Sequence, residues 1–174
     1  MSADALPIVA RLDELAARAP AADRNALATL VLRFVDLLRP LQNDLPQPWI
    51  EQAAPAEARA LSHLGRVAEA RKVWDALASQ RPRDAGVQEG YATFLLSQTD
   101  RDALALAAQK WRALEQATRE AAPLWYRARL GTARAYAKLG DTDRARQIVE
   151  LTAALHPDLG GPELKRQFEA LLGK

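Results

Sequence analysis

The sequence contains no cysteine, only two histidines and few aromatic residues, which make up 6% of its 174 positions. The absence of cysteine excludes disulfides and thiol chemistry. His63 and His156 stand in no HExxH or HxxE arrangement that could hold a metal. The sequence also lacks a G-x-S-x-G motif, a P-loop and a Rossmann glycine fingerprint. We therefore predict a protein that is not an enzyme and has no metal site and no cofactor.

Long hydrophobic runs are missing as well. The longest uncharged, mostly apolar run in the helical segments, residues 26–32, is far shorter than the roughly 18 residues that a membrane span requires. Near the N-terminus, Pro7, Arg11 and Asp13 interrupt the apolar residues, so the segment lacks the apolar core of a signal peptide. We expect a soluble, cytoplasmic protein, with the periplasm left open.

Basic residues only slightly outnumber acidic ones. The chain carries 24 basic and 22 acidic side chains, a net charge of +2, and its pI is about 9.1. This excess is too small to predict strong nucleic-acid binding or attachment to a membrane through basic residues. It is concentrated in residues 122–174, which contain nine basic and six acidic side chains.

Apolar residues at helical spacing predict helices throughout the chain. Residues 4–18, with Asp4 as N-cap, and residues 23–39 form an N-terminal helical pair (residues 1–39), and the broad apolar stripe of its second helix needs more than one neighbour to cover it. Three prolines make residues 40–50 an extended connector, with Trp49 and Ile50 anchoring its far end. Residues 51–174 then form helical hairpins and a last helix after Pro162.

Six positions recur later in the chain, all displaced by the same fixed shift, which indicates an internal repeat. A shorter period of about 34 residues also links Ala58 to Ala92, and the following step to Ala133 is longer by about two helical turns. This extra length predicts a long second helix in the middle hairpin, reaching Ala122, with Trp111 in its core. The six positions are Leu61, Gly65, Ala70, Trp74, Leu77 and Pro82, matched by Tyr136, Gly140, Ala145, Val149, Thr152 and Pro157.

Residues 51–159 resemble the tetratricopeptide repeat, a helical hairpin of about 34 residues with small and large residues at fixed offsets. The segment AYAKLGDTDRA of the third hairpin is close to the family pattern, whereas Thr99 replaces the turn glycine of the second. The resemblance implies an all-α fold, a right-handed α-α superhelix of about three hairpins with the N-terminal helical pair and a C-terminal capping helix.

The resemblance also implies a concave face, formed by the first helix of each hairpin, where partner peptides lie. Arg127, Arg134 and Lys138 share one side of a helix at 100° per residue and form a basic stripe on the third hairpin. We hypothesise that an acidic or carboxylate-bearing segment binds there. The asparagines of the family's carboxylate-clamp subset are missing from the hairpins. The candidate partner-binding residues are Arg59, His63, Thr93, Ser97, Arg127, Arg134 and Lys138.

Other interpretations of these features remain open. The basic stripe could be a solvated face balanced by nearby acids such as Asp141, Asp143 and Glu150. We predict a non-catalytic module or scaffold that binds a protein or peptide. The first alternative is self-assembly into a homo-oligomer through the stripe of residues 23–39. A lesser alternative is a helical repeat that binds single-stranded RNA.

Overall fold

The computed structural model describes residues 6–41, 44 and 47–173, apart from the side chains of residues 6–10, 17 and 48–50. Within these ranges the regular structure is helical, which confirms the predicted all-α class. None of the described helices is long and apolar enough to cross a membrane. The helices are α1 (Leu6–Arg18), α2 (Ala21–Leu38), α3 (Gln47–His63), α4 (Val67–Gln80), α5 (Ala85–Leu96), α6 (Arg101–Ala117), α7 (Pro123–Leu139), α8 (Thr142–Leu155) and α9 (Pro162–Leu171).

The helices form two compact units, Met1–Pro82 and Arg83–Lys174. In the first unit, α1 and α2 both pack on α3, which forms a hairpin with α4. In the second unit, α5 with α6 and α7 with α8 form hairpins, and α9 packs on α7 and α8. The sequence-based prediction separates residues 1–39 from residues 51–174, whereas the packing groups the N-terminal helical pair with the first hairpin.

The start of α3 differs from the sequence-based expectation. The helix begins at Gln47, within the predicted extended connector, and Pro55 lies inside it. A proline inside a helix removes one backbone hydrogen bond. The helix continues because Ala53 and Ala56, on either side of Pro55, pack against α2. The predicted cap at Asp4 and the predicted anchoring by the Trp49 and Ile50 side chains lie outside the described residues.

The apolar stripe of α2 is covered in part by its own chain. Val31 and Val35 of α2 are buried in one cluster with Ala56 and Ala60 of α3. Leu30 and Leu37, on the same helix, remain 47% and 71% exposed. Leu12 of α1 packs against the same cluster, so α1 and α3 are the two neighbours that cover part of the stripe.

The turns of the first and third hairpins have the same geometry. Gly65 and Gly140 adopt left-handed φ angles of 72° and 87°, which glycine accepts without steric cost. The following amides, those of Arg66 and Asp141, donate to carbonyls five residues earlier, each at 2.9 Å. This hydrogen bond is typical of the Schellman helix end. The fixed shift in sequence therefore corresponds to equivalent turns.

The middle hairpin has no turn glycine, and a side-chain cap begins its second helix. The carboxylate of Asp100 accepts from the amide of Ala103 at 2.8 Å, which starts α6. At 17 residues α6 is longer than α4 and α8, at 14 each, so the predicted long helix is confirmed. The helix ends at Ala117 and not at the predicted Ala122. Just after its end, the Thr118 hydroxyl donates to the carbonyl of Leu114.

Helix α7 is the central helix of the second unit and contacts α5, α6, α8 and α9. It packs tightly on α6, where a Cβ placed on Gly131 would lie 2.4 Å from the ring of Trp111. Trp111 is buried, as the sequence predicted. A residue without a side chain is therefore required at position 131 for α6 and α7 to pack at this distance.

Polar contacts also join the helices of the second unit. The guanidinium of Arg129 on α7 donates to Thr152 on α8 at 2.7 Å and to Glu115 on α6 at 2.6 Å. It also lies 4.9 Å from the ring centroid of Trp125. Because Arg129 and Glu115 are largely shielded from solvent, these charge-assisted bonds contribute more than a surface ion pair. They join α6 and α8 to α7.

We predict that Gly131→Ala destabilises the protein. Alanine favours a helix by about 1 kcal/mol over glycine, but its Cβ would overlap the Trp111 ring, and overpacking of this kind costs about 1–3 kcal/mol. Thermal unfolding followed by circular dichroism should show a lower Tm. Gly86→Ala is the matched control, because a Cβ there meets only ordinary contact, 3.4 Å from Asp84. A Gly131→Ala protein as stable as the Gly86→Ala protein would contradict this packing.

Candidate functional site

The predicted partner-binding residues are divided between the two units. Arg59 and His63 lie on α3 of the first unit, and the other five belong to α5, its C-cap and α7 in the second. Those five line two adjoining clefts of about 590 and 570 Å³, both of which include Thr93, Leu96 and Arg134. The two clefts together are called the α7 groove. Its floor is α7 and its walls are α5 and α9, which, within the described residues, contact α7 but not each other.

One cation of the predicted basic stripe is neutralised within the groove. Arg127 donates through Nε and Nη2 to the two carboxylate oxygens of Glu89, at 2.6 and 3.2 Å. The pKa of Arg127 is raised, chiefly by its hydrogen bond to Glu89; burial lowers it by a smaller amount, and the charge of Glu89 raises it again. This fork is internally satisfied, and Arg127 is a poor candidate for holding a ligand anion.

The other two cations of the stripe have no carboxylate partner among the described residues. Arg134 is half-buried, and its Nη2 donates to the neutral amide oxygen of Gln167 at 3.0 Å. Burial lowers the pKa of Arg134. Lys138 is exposed, and its Nζ donates to the carbonyl oxygen of Leu96 at 2.8 Å. Both positive charges therefore remain without a counter-ion in the described part of the chain.

The acids that could have balanced the stripe do not contact it. Asp141 pairs with Arg144, three residues further along the chain, at 3.3 Å. Among the described residues, neither Asp143 nor Glu150 forms an ion pair with a cation of the groove. The described ion pairs therefore do not join these three acids to the basic stripe.

The hydroxyl residues of the groove bring no charge to it. Thr93 donates to the carbonyl of Glu89 at 2.8 Å, and Ser97 donates to the carbonyl of Phe94 at 2.7 Å. Their donors are used within α5 and its C-cap, and the Ser97 oxygen also accepts from the side chain of Gln98 at 2.7 Å, so both residues add only a small polar surface.

Apolar side chains beside the cations were not predicted as site residues. Leu96, Ala137 and Leu171 line the cleft that contains Arg134 and Lys138. The contribution of α9 depends on the loop before it, where Leu159 has a positive φ angle of 51°. Spacing within one helix cannot predict where such a loop places the next helix, so no sequence signal pointed to Gln167 or Leu171.

In the first unit, Arg59 already has an acidic partner. Its Nε and Nη2 contact Oδ2 of Asp13 on α1, at 2.7 and 2.6 Å. Arg59 and His63 are related to Arg134 and Lys138 by the fixed shift of the repeat, so the same two positions of a hairpin's first helix occur in both units. The arginine at this position is paired with a carboxylate in the first unit and not in the second. This difference assigns Arg59 to packing between helices and leaves Arg134 as the stronger ligand-binding candidate.

A third cleft, of about 480 Å³, lies over α7 on the side of α6 and α8, and arginines line it. Two of its three arginines are compensated, because Arg129 is bound to Glu115 and Arg144 is paired with Asp141, and the third, Arg112, is exposed. Among the described residues, no group of three or more His, Asp or Glu side chains could hold a metal ion. The α7 groove therefore remains the best candidate site.

We predict that His63 makes the protein less stable as the pH falls. Burial, followed by Arg24, lowers the pKa of His63 below its ordinary value of 6.5; Asp13 raises it and Arg59 lowers it further. As the pH falls below about 6.5, His63 becomes protonated in the unfolded chain before it does in the folded chain. The free energy of unfolding therefore decreases until the pH reaches the pKa of His63 in the folded chain. Urea unfolding at about pH 7.5 and 5.5 should show a smaller loss for His63→Gln than for the wild type. Equal losses in the two proteins would contradict the lowered pKa.

Compared with models of known protein families, with curated proteins and with solved structures, the chain matches none. The tetratricopeptide resemblance therefore rests on the residues and on the equivalent turns, and it stays a prediction.

Proposed function

We propose that the protein is a non-catalytic protein-binding module and that its second unit holds a segment of a partner protein in the α7 groove. The observation that carries this proposal is the pair Arg134 and Lys138, which have no carboxylate partner among the described residues. They lie beside the apolar side chains of Leu96 and Leu171. A segment with an acidic residue and apolar neighbours would satisfy both the charge and the apolar surface.

The expected strength of this interaction is moderate. A charge-assisted hydrogen bond in a partly buried position contributes about 1.5–3 kcal/mol, whereas an exposed ion pair contributes about 0–1 kcal/mol. Arg134 is half-buried and belongs to the first class, while Lys138 is exposed and belongs to the second. Part of this gain offsets the loss of freedom on association. We expect a reversible interaction of modest affinity.

The tetratricopeptide-like architecture belongs to the same proposal. Its support is the pair of equivalent turns at Gly65 and Gly140 and the burial of Ala70, Ala145 and Trp74 at repeated positions. In such an arrangement the first helix of each hairpin, here α7, forms the floor of the peptide-binding face.

Self-assembly through the N-terminal helices is the second candidate. The exposure of Leu37, at 71%, favours it. The burial of Val31 and Val35 against α3 of the same chain reduces the apolar surface available to another copy. Light scattering distinguishes the two functions, because a mass that rises with concentration for the wild type but not for Leu37→Glu would favour self-assembly.

RNA binding is the lesser candidate and has less support. The large aromatic side chains Trp111, Trp125 and Tyr126 are buried, so they are not available to stack on bases. Loss of RNA retention that is steep in salt would favour this class over protein binding.

We predict that reversing the two unpaired charges abolishes partner binding. Arg134→Glu/Lys138→Glu places two carboxylates where the partner's acid would lie, so repulsion replaces attraction. The wild type and the variant, immobilised at equal density, are incubated with native extract, and the retained proteins are quantified by mass spectrometry. At least one protein should be retained by the wild type and reduced about tenfold or more by the variant, which corresponds to about 1.4 kcal/mol.

The matched control changes the same net charge on exposed residues outside the α7 groove. Arg112→Glu/Arg146→Glu alters one exposed residue on α6 and one on α8. This control should retain the partner at the wild-type level, and circular dichroism should show equal helix content for all three proteins. Equal retention by both double variants and the wild type would remove the α7 groove as the binding site.

A further inference from the structure

We infer that the protein forms a two-fold symmetric dimer in which α2 pairs with α2 of a second copy in antiparallel orientation. The surface that carries this inference is called the outer face of α2, and it consists of Asp23, Ala26, Leu30, Arg33 and Leu37. The inference does not depend on the α7 groove. It gives the self-assembly candidate one defined interface, with the residues that meet and their register.

The outer face of α2 is exposed and lies away from the buried side of the same helix. At 100° per residue, its five residues fall within a sector of about 80°, on the far side of α2 from Val31 and Val35. All five residues are exposed, Leu30 by 47% and Leu37 by 71%. Packing against the rest of the described chain therefore leaves this face open.

The spacing of the outer face is that of a helix-pairing surface. Its residues follow one another along α2 in alternating steps of three and four residues. This is the spacing of the a and d positions of a coiled coil, which face the same partner helix along its length. The row covers about 21 Å of α2. The outer face is therefore suited to another helix that lies alongside it.

The two charged residues of this face are left without partners in the described chain. Neither Asp23 nor Arg33 forms an ion pair with another described residue, whereas Arg39, at the C-cap of the same helix, pairs with Asp36 and Glu57. Asp23 and Arg33 are about 15 Å apart along α2, so they cannot pair with each other within one chain. A second copy would supply the opposite charge that each of them lacks.

Charge determines that the two helices are antiparallel. When Asp23 lies opposite the partner's Arg33, the two-fold symmetry forms the same ion pair at the other end of the contact. This register also places Ala26 opposite the partner's Leu30, so that a small residue meets a large one and the axes can approach to about 8–10 Å. A parallel pair would place each charge beside its own copy, and such like-charge contacts oppose association.

Charge also selects the register of the antiparallel pair. A shift that brought Leu30 opposite the partner's Leu37 would bury more apolar surface. It would also bring the two Arg33 side chains together at the centre of the contact, where they repel each other. In the proposed register Leu37 instead reaches the partner's turn between α1 and α2, at residues 19–20. The outer face is therefore complementary to itself in one arrangement.

The size of this contact predicts a reversible dimer. Helix α2 has 18 residues, a length of about 27 Å. One such helix pair buries less than the about 800 Å² per partner of a standard interface. Its two ion pairs lie at exposed positions, where salt screens them. We expect a dissociation constant between about 10 µM and 1 mM at low salt.

The test is sedimentation equilibrium of the full chain from about 10 µM to 1 mM, at low salt. The mean mass of the wild type should rise from that of a monomer toward that of a dimer. Asp23→Arg and Arg33→Asp, made separately, each place like charges at both ends of the contact. Each substitution should raise the dissociation constant about tenfold or more.

An equimolar mixture of these two variants should recover the dimer. In the mixed pair, the new arginine at position 23 of one chain faces the new aspartate at position 33 of the other. At the second contact Arg33 faces Asp23, as in the wild type. The double variant Asp23→Arg/Arg33→Asp should likewise associate with itself as the wild type does. This recovery requires folded proteins, so a folding defect in one variant cannot imitate it.

The matched controls reverse two charges on α8. Asp143 lies in the first turn of its helix, as Asp23 does, and both Asp143 and Arg146 are exposed. Asp143→Arg and Arg146→Asp should each dimerise as the wild type does, alone and when mixed. They separate the contact at the outer face of α2 from a general effect of net charge.

Three results would overturn the inference. A wild type that stays monomeric up to the highest concentration would leave the outer face for a different kind of partner. Dimerisation of Asp23→Arg and Arg33→Asp at the wild-type level would place the interface elsewhere. A mixture that is no more dimeric than its separate components would exclude the paired charges. None of these results bears on capture of a partner by the α7 groove, so the two proposals fail separately.

Discussion

The close approach of α6 to α7 is the constraint on which the second unit depends. The ring of Trp111 occupies the space where a side chain at Gly131 would begin. This contact fixes α7 against α6, and Arg129 then holds α6 and α8 to it through Glu115 and Thr152. Because interiors are close-packed, such a contact sets helix positions more strictly than general apolar burial does. With α7 held in this way, its basic stripe forms the floor of the groove between α5 and α9.

Arginines at equivalent positions have different environments in the two units, and this difference organises the proposed function. Arg59 ties α3 to α1 through Asp13, whereas Arg134 donates a hydrogen bond to the neutral Gln167. The first arrangement uses the charge for stability. The second leaves a half-buried charge that a ligand can satisfy, and Lys138 adds a second charge one helical turn further along.

The helices and turns that could be predicted from the sequence are those specified by local residues. The fixed shift between repeats located Gly65 and Gly140, because a left-handed helix end requires glycine for local steric reasons. The continuation of α3 through Pro55 could not be predicted in this way, because tertiary packing against α2 overrides the proline. The end of α6 before Ala122 was also not predicted; the backbone leaves the helix at Thr118, whose ψ angle is 139°.

The candidate site was predictable to the extent that it lies on one helix. The spacing of Arg127, Arg134 and Lys138 placed them on one face of α7, and all three line the α7 groove. The pairing of Arg127 with Glu89 and the contact of Arg134 with Gln167 connect different helices. Such pairings depend on how α5 and α9 lie against α7, which periodicity within a single helix does not specify.

The most direct test of this account compares the unfolding free energies of Arg59→Ala and Arg134→Ala, measured by urea titration at neutral pH. The Asp13–Arg59 pair is partly exposed, at 15% and 41% for the two side chains, so its loss should cost about 1 kcal/mol. Loss of the Arg134 side chain should cost less, because it removes one hydrogen bond to a neutral amide and relieves the burial of a charge that has no carboxylate partner among the described residues. A larger loss of stability for Arg134→Ala than for Arg59→Ala would show that Arg134 serves the fold and would contradict its assignment to ligand binding.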